Sequence, residues 1–205
     1  MESPSFHSSI IISPNTKFEG LFELSHNLVI GFRYGQPGEE TILGKNIKIG
    51  SFTVIEDGVE IGNDSCIDHH CTVYKGAKIG NNARLLYGVK IFSDSRIGNN
   101  CIVGGDIPER IIMGDNVTFM GSIAHSYRDA SLDWDEVDEP SPIIKDGSII
   151  GVNALIIGGI TIGENCYIAA GEILRHDLPD NSVYLHGQVH DINQFRGLIK
   201  TRFKF

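Results

Sequence analysis

Aliphatic residues recur at every sixth position along much of this chain. Between residues 43 and 108 the pattern holds eleven times in succession. The positions are Leu43, Ile49, Ile55, Ile61, Ile67, Val73, Ile79, Leu85, Ile91, Ile97 and Val103. A period of six fits neither an amphipathic helix nor an alternating strand. It predicts an all-β fold, a parallel β-helix in which each coil stacks on the last and buries one continuous core.

Small or β-branched residues follow four places after each aliphatic residue, as at Thr53, Ser65 and Ala77, and glycine often follows directly, as at Gly62 and Gly80. The same frame extends beyond the regular stretch. It includes Ile12, Phe18, Leu24, Ile30, Met113, Phe119, Ile144, Ile150, Ile156, Ile162 and Ile168. It is interrupted at residues 36–41 and again after residue 124. At a strand spacing of about 4.8 Å, a little over seven coils would rise roughly 35 Å.

Hexads of the form aliphatic-Gly-x-x-small-x resemble the repeats of the bacterial hexapeptide-repeat acyltransferases. The resemblance covers most of the chain and implies a left-handed parallel β-helix with three hexads in each triangular coil. Relatives in this family include sugar O- and N-acetyltransferases and chloramphenicol-type xenobiotic acetyltransferases. We therefore expect a single acyltransferase domain over residues 1–205, with coils at about 12–124 and 144–173, an excursion loop at 125–143 and a C-terminal tail at 186–205.

Charge and composition limit the kinds of molecule that we expect this protein to bind and the compartment in which we expect it. The formal net charge is −9 and the pI is near 5.3, which argues against a nucleic-acid partner. No apolar stretch is long enough to span a bilayer, so we expect no membrane insertion. The N-terminus lacks the basic and apolar regions of a signal peptide, which predicts a cytoplasmic protein. Cys71, Cys101 and Cys166 occupy small-residue positions, as expected of packing residues in a reducing compartment.

The largest interruption of the repeat, residues 125–143, is the segment where we expect the chemistry, because insertions in solenoids emerge as loops on one side. It opens with His125, at what would be the next aliphatic position after Phe119. A neutral imidazole can remove a proton from an attacking hydroxyl or amine. The resemblance to sugar O-acetyltransferases, in which a catalytic histidine opens a comparable loop, implies that His125 is the general base. A loop-edge histidine bound to the backbone is the alternative.

The acyl donor implied by the resemblance is acetyl-CoA, held as a co-substrate along the coils that follow the loop. The matching positions are Ile149, Asn153, Gly158, Gly159, Ala169, Ala170, Arg175 and His176. Arg175 could pair with a phosphate of CoA. Three places depart from the family pattern: Lys145 with Asp146, Glu172 at an expected small-residue position, and the tail LHGQVHDI. Glu172 must face outward, pair, or signal a local change.

The acceptor is expected to be a sugar or a sugar-like molecule. A nucleotide-linked amino sugar of surface-polysaccharide biosynthesis is the first choice, a sugar that is O-acetylated the second, and an antibiotic, as in a xenobiotic acetyltransferase, the third. We expect Tyr127, Arg128 and Trp134 of the loop, together with His69 and His70, to contact it. The loop also carries six acids: Asp129, Asp133, Asp135, Glu136, Asp138 and Glu139. These suit a polyhydroxylated or cationic ligand, with the indole stacking on a sugar face. Equally, the acids could solvate an exposed loop.

Two other classes of function stay open. His69, His70 and His125 could mimic the three-histidine zinc site of the γ-class carbonic anhydrases, but the chain lacks that family's HxxxxH spacing, so we expect no metal. A non-catalytic β-helix scaffold is the third possibility. Apolar residues from Val189 to Phe203 have roughly helical spacing, which predicts a short C-terminal helix. The resemblance further implies a homotrimer with its active sites between subunits.

Overall fold

Short parallel strands wound into a three-sided prism make up most of the chain. The structure is a computed structural model that describes residues 9–124, 126 and 140–195. Each coil contributes one strand to each side, so strands of successive coils pair in parallel. Regular coils are 18 residues long, as in the pairing of Ile61 with Ile79. The all-β parallel β-helix predicted from the period of six is confirmed.

The three sides are called faces one, two and three in the order in which the chain meets them. Face one contains β1 (Ile10–Ile12), β4 (Leu28–Ile30), β9 (Val54–Ile55), β12 (Thr72–Val73), β15 (Lys90–Ile91), β20 (Ser122–Ala124), β23 (Leu155–Ile157) and β26 (Ile173–Leu174). Face two contains β2 (Thr16–Phe18), β7 (Thr41–Leu43), β10 (Glu60–Ile61), β13 (Lys78–Ile79), β16 (Arg96–Ile97), β18 (Ile112–Met113), β21 (Ile143–Ile144) and β24 (Thr161–Ile162).

Face three contains β3 (Phe22–Leu24), β8 (Ile47–Ile49), β11 (Cys66–Ile67), β14 (Arg84–Leu85), β17 (Ile102–Val103), β19 (Thr118–Phe119), β22 (Ile149–Ile150), β25 (Tyr167–Ile168), β27 (Ser182–Leu185) and the antiparallel β28 (Gln188–Asp191). A separate hairpin pairs β5 (Phe32–Arg33) with β6 (Gln36–Pro37). A 3-10 turn follows at Ile192–Gln194. The first corner joins face one to face two, the second joins two to three, and the third joins three to one.

The core is the column of aliphatic residues at the sixth positions, buried from Leu28 to Leu178. The small residues at the corners are buried beside it and satisfy the backbone between coils. Ser65 Oγ, for example, donates to the carbonyl of Gly80 and accepts the N–H of Ala83, both at 3.0 Å. A larger side chain here would press against the next coil, which explains why this position takes only small or β-branched residues.

Side-chain amides form a ladder up the second corner. Asn81 Oδ1 accepts the N–H of Asn63 at 2.8 Å, and Asn99 Oδ1 accepts the N–H of Asn81 at 2.9 Å. Asp146 Oδ1 continues the ladder by accepting the N–H of Asp115 at 2.9 Å. The carboxylate of Asp146 thus takes the place of the amide oxygen in this ladder, which accounts for one departure from the family pattern.

Several corners are two residues shorter than the repeat requires. Ile97 pairs with Met113 and Ile162 pairs with Leu178. In both cases the partner lies 16 residues later instead of 18. The sequences Asp106-Ile107-Pro108 and Asp177-Leu178-Pro179 accompany these shortened coils. In each, the aspartate accepts a backbone N–H of the preceding coil, from Lys90 at 3.0 Å and Thr161 at 2.8 Å. Because the frame slips there, the coils continue past residue 173, and Tyr184 still belongs to the core.

The described chain ends in a hairpin followed by one 3-10 turn, so the expectation of a helix is wrong for residues 189–191. β28 pairs antiparallel with β27. The loop residues His186 and Gly187 have φ values of 54° and 70°, as a two-residue type I′ turn requires. Alternation of side chains along the strand overrides the approximate helical spacing. Residues 196–205 lie outside the described residues.

Glu172 explains the remaining two departures. Its carboxylate accepts the N–H of His186 at 2.7 Å and that of Gly187 at 3.0 Å. The side chain therefore pairs, which was one of the outcomes expected for it. The tail LHGQVHDI forms the turn, and Glu172 accepts two of its N–H groups, so these two departures belong to one structural feature. Among the described residues, no helix is long and apolar enough to cross a bilayer.

Replacing Glu172 by alanine removes the acceptor for both turn amides. We expect Glu172→Ala to lower the free energy of unfolding by about 1–3 kcal/mol, the range for hydrogen bonds to a charged group. Thermal or urea unfolding measures this. Glu164→Ala serves as the matched control, because the Glu164 side chain lies on the surface. Equal stability of the two variants would contradict the role given to Glu172.

Thiol reactivity should follow burial. Burial raises the pKa of the Cys71 and Cys101 thiols to about 11, so both stay protonated at pH 8. In the native protein at pH 8 we expect iodoacetamide to spare these two residues and to label all four cysteines after denaturation. Peptide mass mapping of the alkylated sites reads this out. Rapid native labelling of Cys71 or Cys101 would contradict the packing described here.

Candidate functional site

Both interruptions of the repeat leave the prism at the first corner. The β5–β6 hairpin lies between Ile30 of face one and Leu43 of face two. The long excursion lies between Ile123 of face one and Ile144 of face two. The two insertions are separated by several regular coils on the same edge of the prism. This corner is therefore the part of the surface that the insertions shape.

The β5–β6 hairpin is held against the corner by a charged cluster. Asp57 is 3% exposed, and its carboxylate accepts the N–H of Glu39 at 3.1 Å. Lys75 Nζ lies 2.8 Å from Glu39 Oε1 and 3.7 Å from Asp57 Oδ2. The hydrogen bond and charge of Glu39 raise the pKa of Lys75. The ammonium group compensates the buried carboxylate and fixes the base of the hairpin.

Aromatic rings line the same corner above the hairpin. Tyr74 and Phe92 follow the face-one residues of successive coils, and their rings stack at 4.8 Å with an angle of 11° between the planes. Phe92 also lines the groove that lies next along the corner. The stack forms a flat, partly exposed apolar strip leading into the groove.

The groove has a volume of about 560 Å³ and lies where the excursion leaves and rejoins the prism. Apolar groups predominate in its lining, with two carboxylates and one guanidinium among them. The lining residues are Phe92, Asp106, Pro108, Glu109, Arg110, Ser122, Ile123, Ala124, Pro140, Ser141, Pro142 and Gly158. Ser141 Oγ donates to the carbonyl of Glu109 at 2.8 Å, which ties the returning chain to the coil below. A cleft of this size and lining is typical of a small-molecule site.

His125, the candidate base, lies outside the described residues, but its chain neighbour Ala124 lines the groove. The expectation that His125 takes an aliphatic position is wrong. Ile123 takes it, pairing with Ile156 across the coils. The corner between Phe119 and Ile123 is two residues short, so the count of six fails there. In the sequence, His125 directly follows the face-one strand β20.

Three expected acceptor contacts, Tyr127, Arg128 and Trp134, also lie outside the described residues. Their roles stay predictions. His69 and His70 are described, and they lie at the third corner, on the far side of face one from the groove. Within one chain the structure does not bring these two histidines to the groove.

The eight expected donor contacts divide between two corners. Gly158, Gly159, Arg175 and His176 lie at the first corner, and Gly158 donates its N–H to the carbonyl of Ala124 at 2.9 Å. Asn153, Ala169 and Ala170 lie at the third corner, with Ile149 on face three beside it. Only the first group shares an edge of the prism with the groove.

The first group has geometry suited to a close approach of ligand. Gly158 has a φ of 84° and is buried. At Gly159 a Cβ would stand 2.2 Å from the carbonyl oxygen of Pro140, so only glycine fits beside the returning chain. Arg175 and His176 are exposed, and His176 Nδ1 lies 3.0 Å from the carbonyl oxygen of Asp177.

Sequence reasoning missed Phe92, Asp106 and Glu109 as groove residues. The signal was present in the likeness of Asp106-Ile107-Pro108 to Asp177-Leu178-Pro179, which marks shortened coils. Across the described ranges, no group of three or more histidine, cysteine, aspartate or glutamate residues has an arrangement that could hold a metal ion.

The repeat itself matches a known family model. Residues 40–75 match the model described as bacterial transferase hexapeptide (six repeats). These residues span the coils whose 18-residue register and buried aliphatic column are described above. Over these residues the chain matches the repeat of the hexapeptide transferases. The resemblance inferred from the hexads is confirmed.

Curated relatives of this chain include a bifunctional protein and an acetyltransferase. The bifunctional protein GlmU of Brevibacillus brevis is 27% identical over 177 residues, covering 86% of this chain and 28% of that protein. The serine acetyltransferase of Bacillus subtilis is 34% identical over 80 residues, covering 39% of this chain and 35% of that protein. The chain thus spans about a third of the length of these relatives or less.

Among solved structures, the UDP-N-acetylglucosamine O-acyltransferase of Moraxella catarrhalis is similar in fold. Its TM-score is 0.51 at 17% identity, covering 94% of this chain and 79% of that one. The likeness supports the left-handed β-helix implied by the hexads. The names of these relatives support the prediction of an acyltransferase.

Proposed function

We propose that this protein is an acetyl-CoA-dependent acyltransferase that transfers an acetyl group to a hydroxyl or amine of a sugar. The nucleotide-linked amino sugar of surface-polysaccharide biosynthesis is the preferred acceptor. The observation that carries the proposal is the groove at the first corner, where the chain leaves the prism directly after Ala124. The name of the serine acetyltransferase that the chain resembles agrees with it. Cytoplasmic location and a homotrimer belong to the same proposal.

His125 is the proposed general base. The acceptor oxygen or nitrogen attacks the thioester carbonyl carbon while the imidazole takes the proton from it. A tetrahedral oxyanion forms and collapses, the carbon–sulfur bond breaks, and the imidazolium returns the proton to the departing thiolate of CoA. The products are the acetylated acceptor and free CoA. Holding both reactants in one groove converts a bimolecular encounter into a positioned reaction.

The groove offers different chemistry to the two reactants. Its apolar walls at Phe92, Ile123 and Pro108 exclude water from the thioester. The carboxylates of Asp106 and Glu109 can accept hydrogen bonds from hydroxyl or ammonium groups of an acceptor. Arg175, on the same corner above the groove, is placed to pair with a phosphate of CoA. The donor thus occupies the upper part of the corner and the acceptor the lower part.

The assignment of the base is tested by His125→Ala. We expect kcat for acetyl transfer to fall by about 10²–10⁴-fold, the usual contribution of a general base. Release of free CoA thiol from acetyl-CoA is measured against amino-sugar nucleotides, simple sugars and aminoglycosides. His26→Ala is the matched control, because His26 is exposed in the first coil, away from the groove. Full activity of His125→Ala would reject the base, and silence of the wild type across the panel would reject the acyltransferase.

The donor contact is tested by Arg175→Ala. We expect KM for acetyl-CoA to rise about tenfold or more with kcat little changed, because the guanidinium holds the donor equally in the ground and transition states. Arg96→Ala is the control, since Arg96 is exposed on face two. Steady-state kinetics with varied acetyl-CoA separate the two parameters. An unchanged KM would place the phosphates elsewhere.

A further inference from the structure

An exposed ladder of rings climbs the third corner, away from the groove. Phe52 and His70 stack at 5.0 Å with 14° between their planes, and Tyr87 lies 5.2 Å from His70. Phe52 is 54% exposed and Tyr87 is 67% exposed. We call Phe52, His69, His70 and Tyr87 the ring ladder. None of these side chains contributes to the buried aliphatic column.

The backbone under the ladder is in a conformation that its residues disfavour. Phe52 and His70 have φ values of 61° and 60°, in the left-handed region. Bulky side chains rarely adopt it, whereas glycine and asparagine adopt it readily. The same corner position in other coils is indeed held by asparagine or glycine, at Asn27, Gly88, Asn153 and Gly171. Histidine tolerates this region better, so the strain is at Phe52, and such strain is concentrated at functional sites.

Open space lies beside the upper end of the ladder. A Cβ at Gly88 would meet nothing within 4 Å. In the next coil the third corner is two residues short and contains Gly104 and Gly105, which carry no side chain beyond the backbone. The exposed ring of Tyr87 therefore has a small-residue corner above it.

Polar groups flank the rings. His69 Nδ1 accepts the N–H of Ser51 at 2.8 Å, which places the imidazole proton on Nε2 in the neutral form. Asp68 Oδ1 lies 3.8 Å from Nε2, beyond hydrogen-bond distance. The side chains of His69 and Asp68 are 51% and 45% exposed. The ladder thus presents an apolar ring surface edged by an N–H donor and a carboxylate.

These features match the chemistry of a pyranose ring. A sugar has an apolar C–H face that stacks on aromatic rings and an edge of hydroxyl groups that takes donors and acceptors. The carboxylate of Asp68 and the net charge of −9 disfavour an anionic ligand. The cores of protein interfaces, by contrast, are depleted of charged side chains. We propose that the ring ladder is a carbohydrate-binding platform for neutral or amino sugars, separate from the groove at the first corner.

Ligand-observed saturation-transfer NMR tests the platform with chitotetraose, maltotetraose and a glucosamine tetramer on the full-length protein. We expect saturation of ring C–H protons in at least one of them. The signal should fall at least fivefold in Phe52→Asn and in Tyr87→Ala. Tyr34→Ala is the matched control, because Tyr34 is 90% exposed at the tip of the β5–β6 hairpin and should keep the signal.

A second readout separates binding from a structural role. Asparagine suits the left-handed conformation, so the thermal midpoint of Phe52→Asn should not fall below that of the wild type. Absence of saturation with all three sugars, or an equal signal in Phe52→Asn and the wild type, overturns the proposal. So does a loss of oligomer in Phe52→Asn by sedimentation velocity, which would make the ladder a contact between copies of this chain. The proposal does not depend on acyl transfer.

Discussion

The parallel stacking of one coil on the next is the constraint on which the rest of the molecule depends. Each coil must place three interior residues over those of the coil below. Its strands must also pair in register with the strands of that coil. The aliphatic column and the amide ladder at the second corner satisfy both requirements. Because each coil contacts only its neighbours, a corner can lose two residues or gain an insertion without disturbing the strands that flank it.

The corners are therefore where the molecule carries its individual features. The second corner is nearly uniform from Asn63 upward, because the ladder through Asn63, Asn81 and Asn99 needs a side-chain amide or carboxylate oxygen in each of these coils. The first corner carries both insertions and the groove. The third corner carries the shortened glycine turns and the exposed rings. The candidate functional features lie at the corners whose sequences depart from the repeat, and the three faces hold these corners in place.

The fold was predictable because burial imposes the same requirement on every coil. Residues such as Ile61 and Ile79 all lie in the same kind of buried environment. An aliphatic residue at every sixth position of the sequence therefore indicates the stacking directly. The six-residue spacing failed to locate the interior residues where a corner is two residues short. Ile123 takes the aliphatic position in its coil, four residues after Phe119, and the last coil escaped notice because Leu178 follows Leu174 by four residues. The C-terminal hairpin was missed because its turn depends on Glu172, an acceptor distant in sequence.

The site was less predictable than the fold for a related reason. Phe92, Asp106 and Glu109 line one groove with Ala124 because successive coils stack, and in the sequence only the likeness of Asp106-Ile107-Pro108 to Asp177-Leu178-Pro179 points to this region. The expected donor contacts were chosen by their positions in the sequence. The structure divides them between the first and third corners. Arg175 was identified by its charge, and Gly158 by its place in the repeat.

The most direct test of the account is amide hydrogen exchange with and without acetyl-CoA. The central claim is that the donor binds along the first corner. It predicts slower exchange in peptides covering residues 122–124, 140–143, 156–160 and 174–177, with no change in peptides confined to the second corner. Protection restricted to the second corner, or no protection at saturating acetyl-CoA, would contradict it.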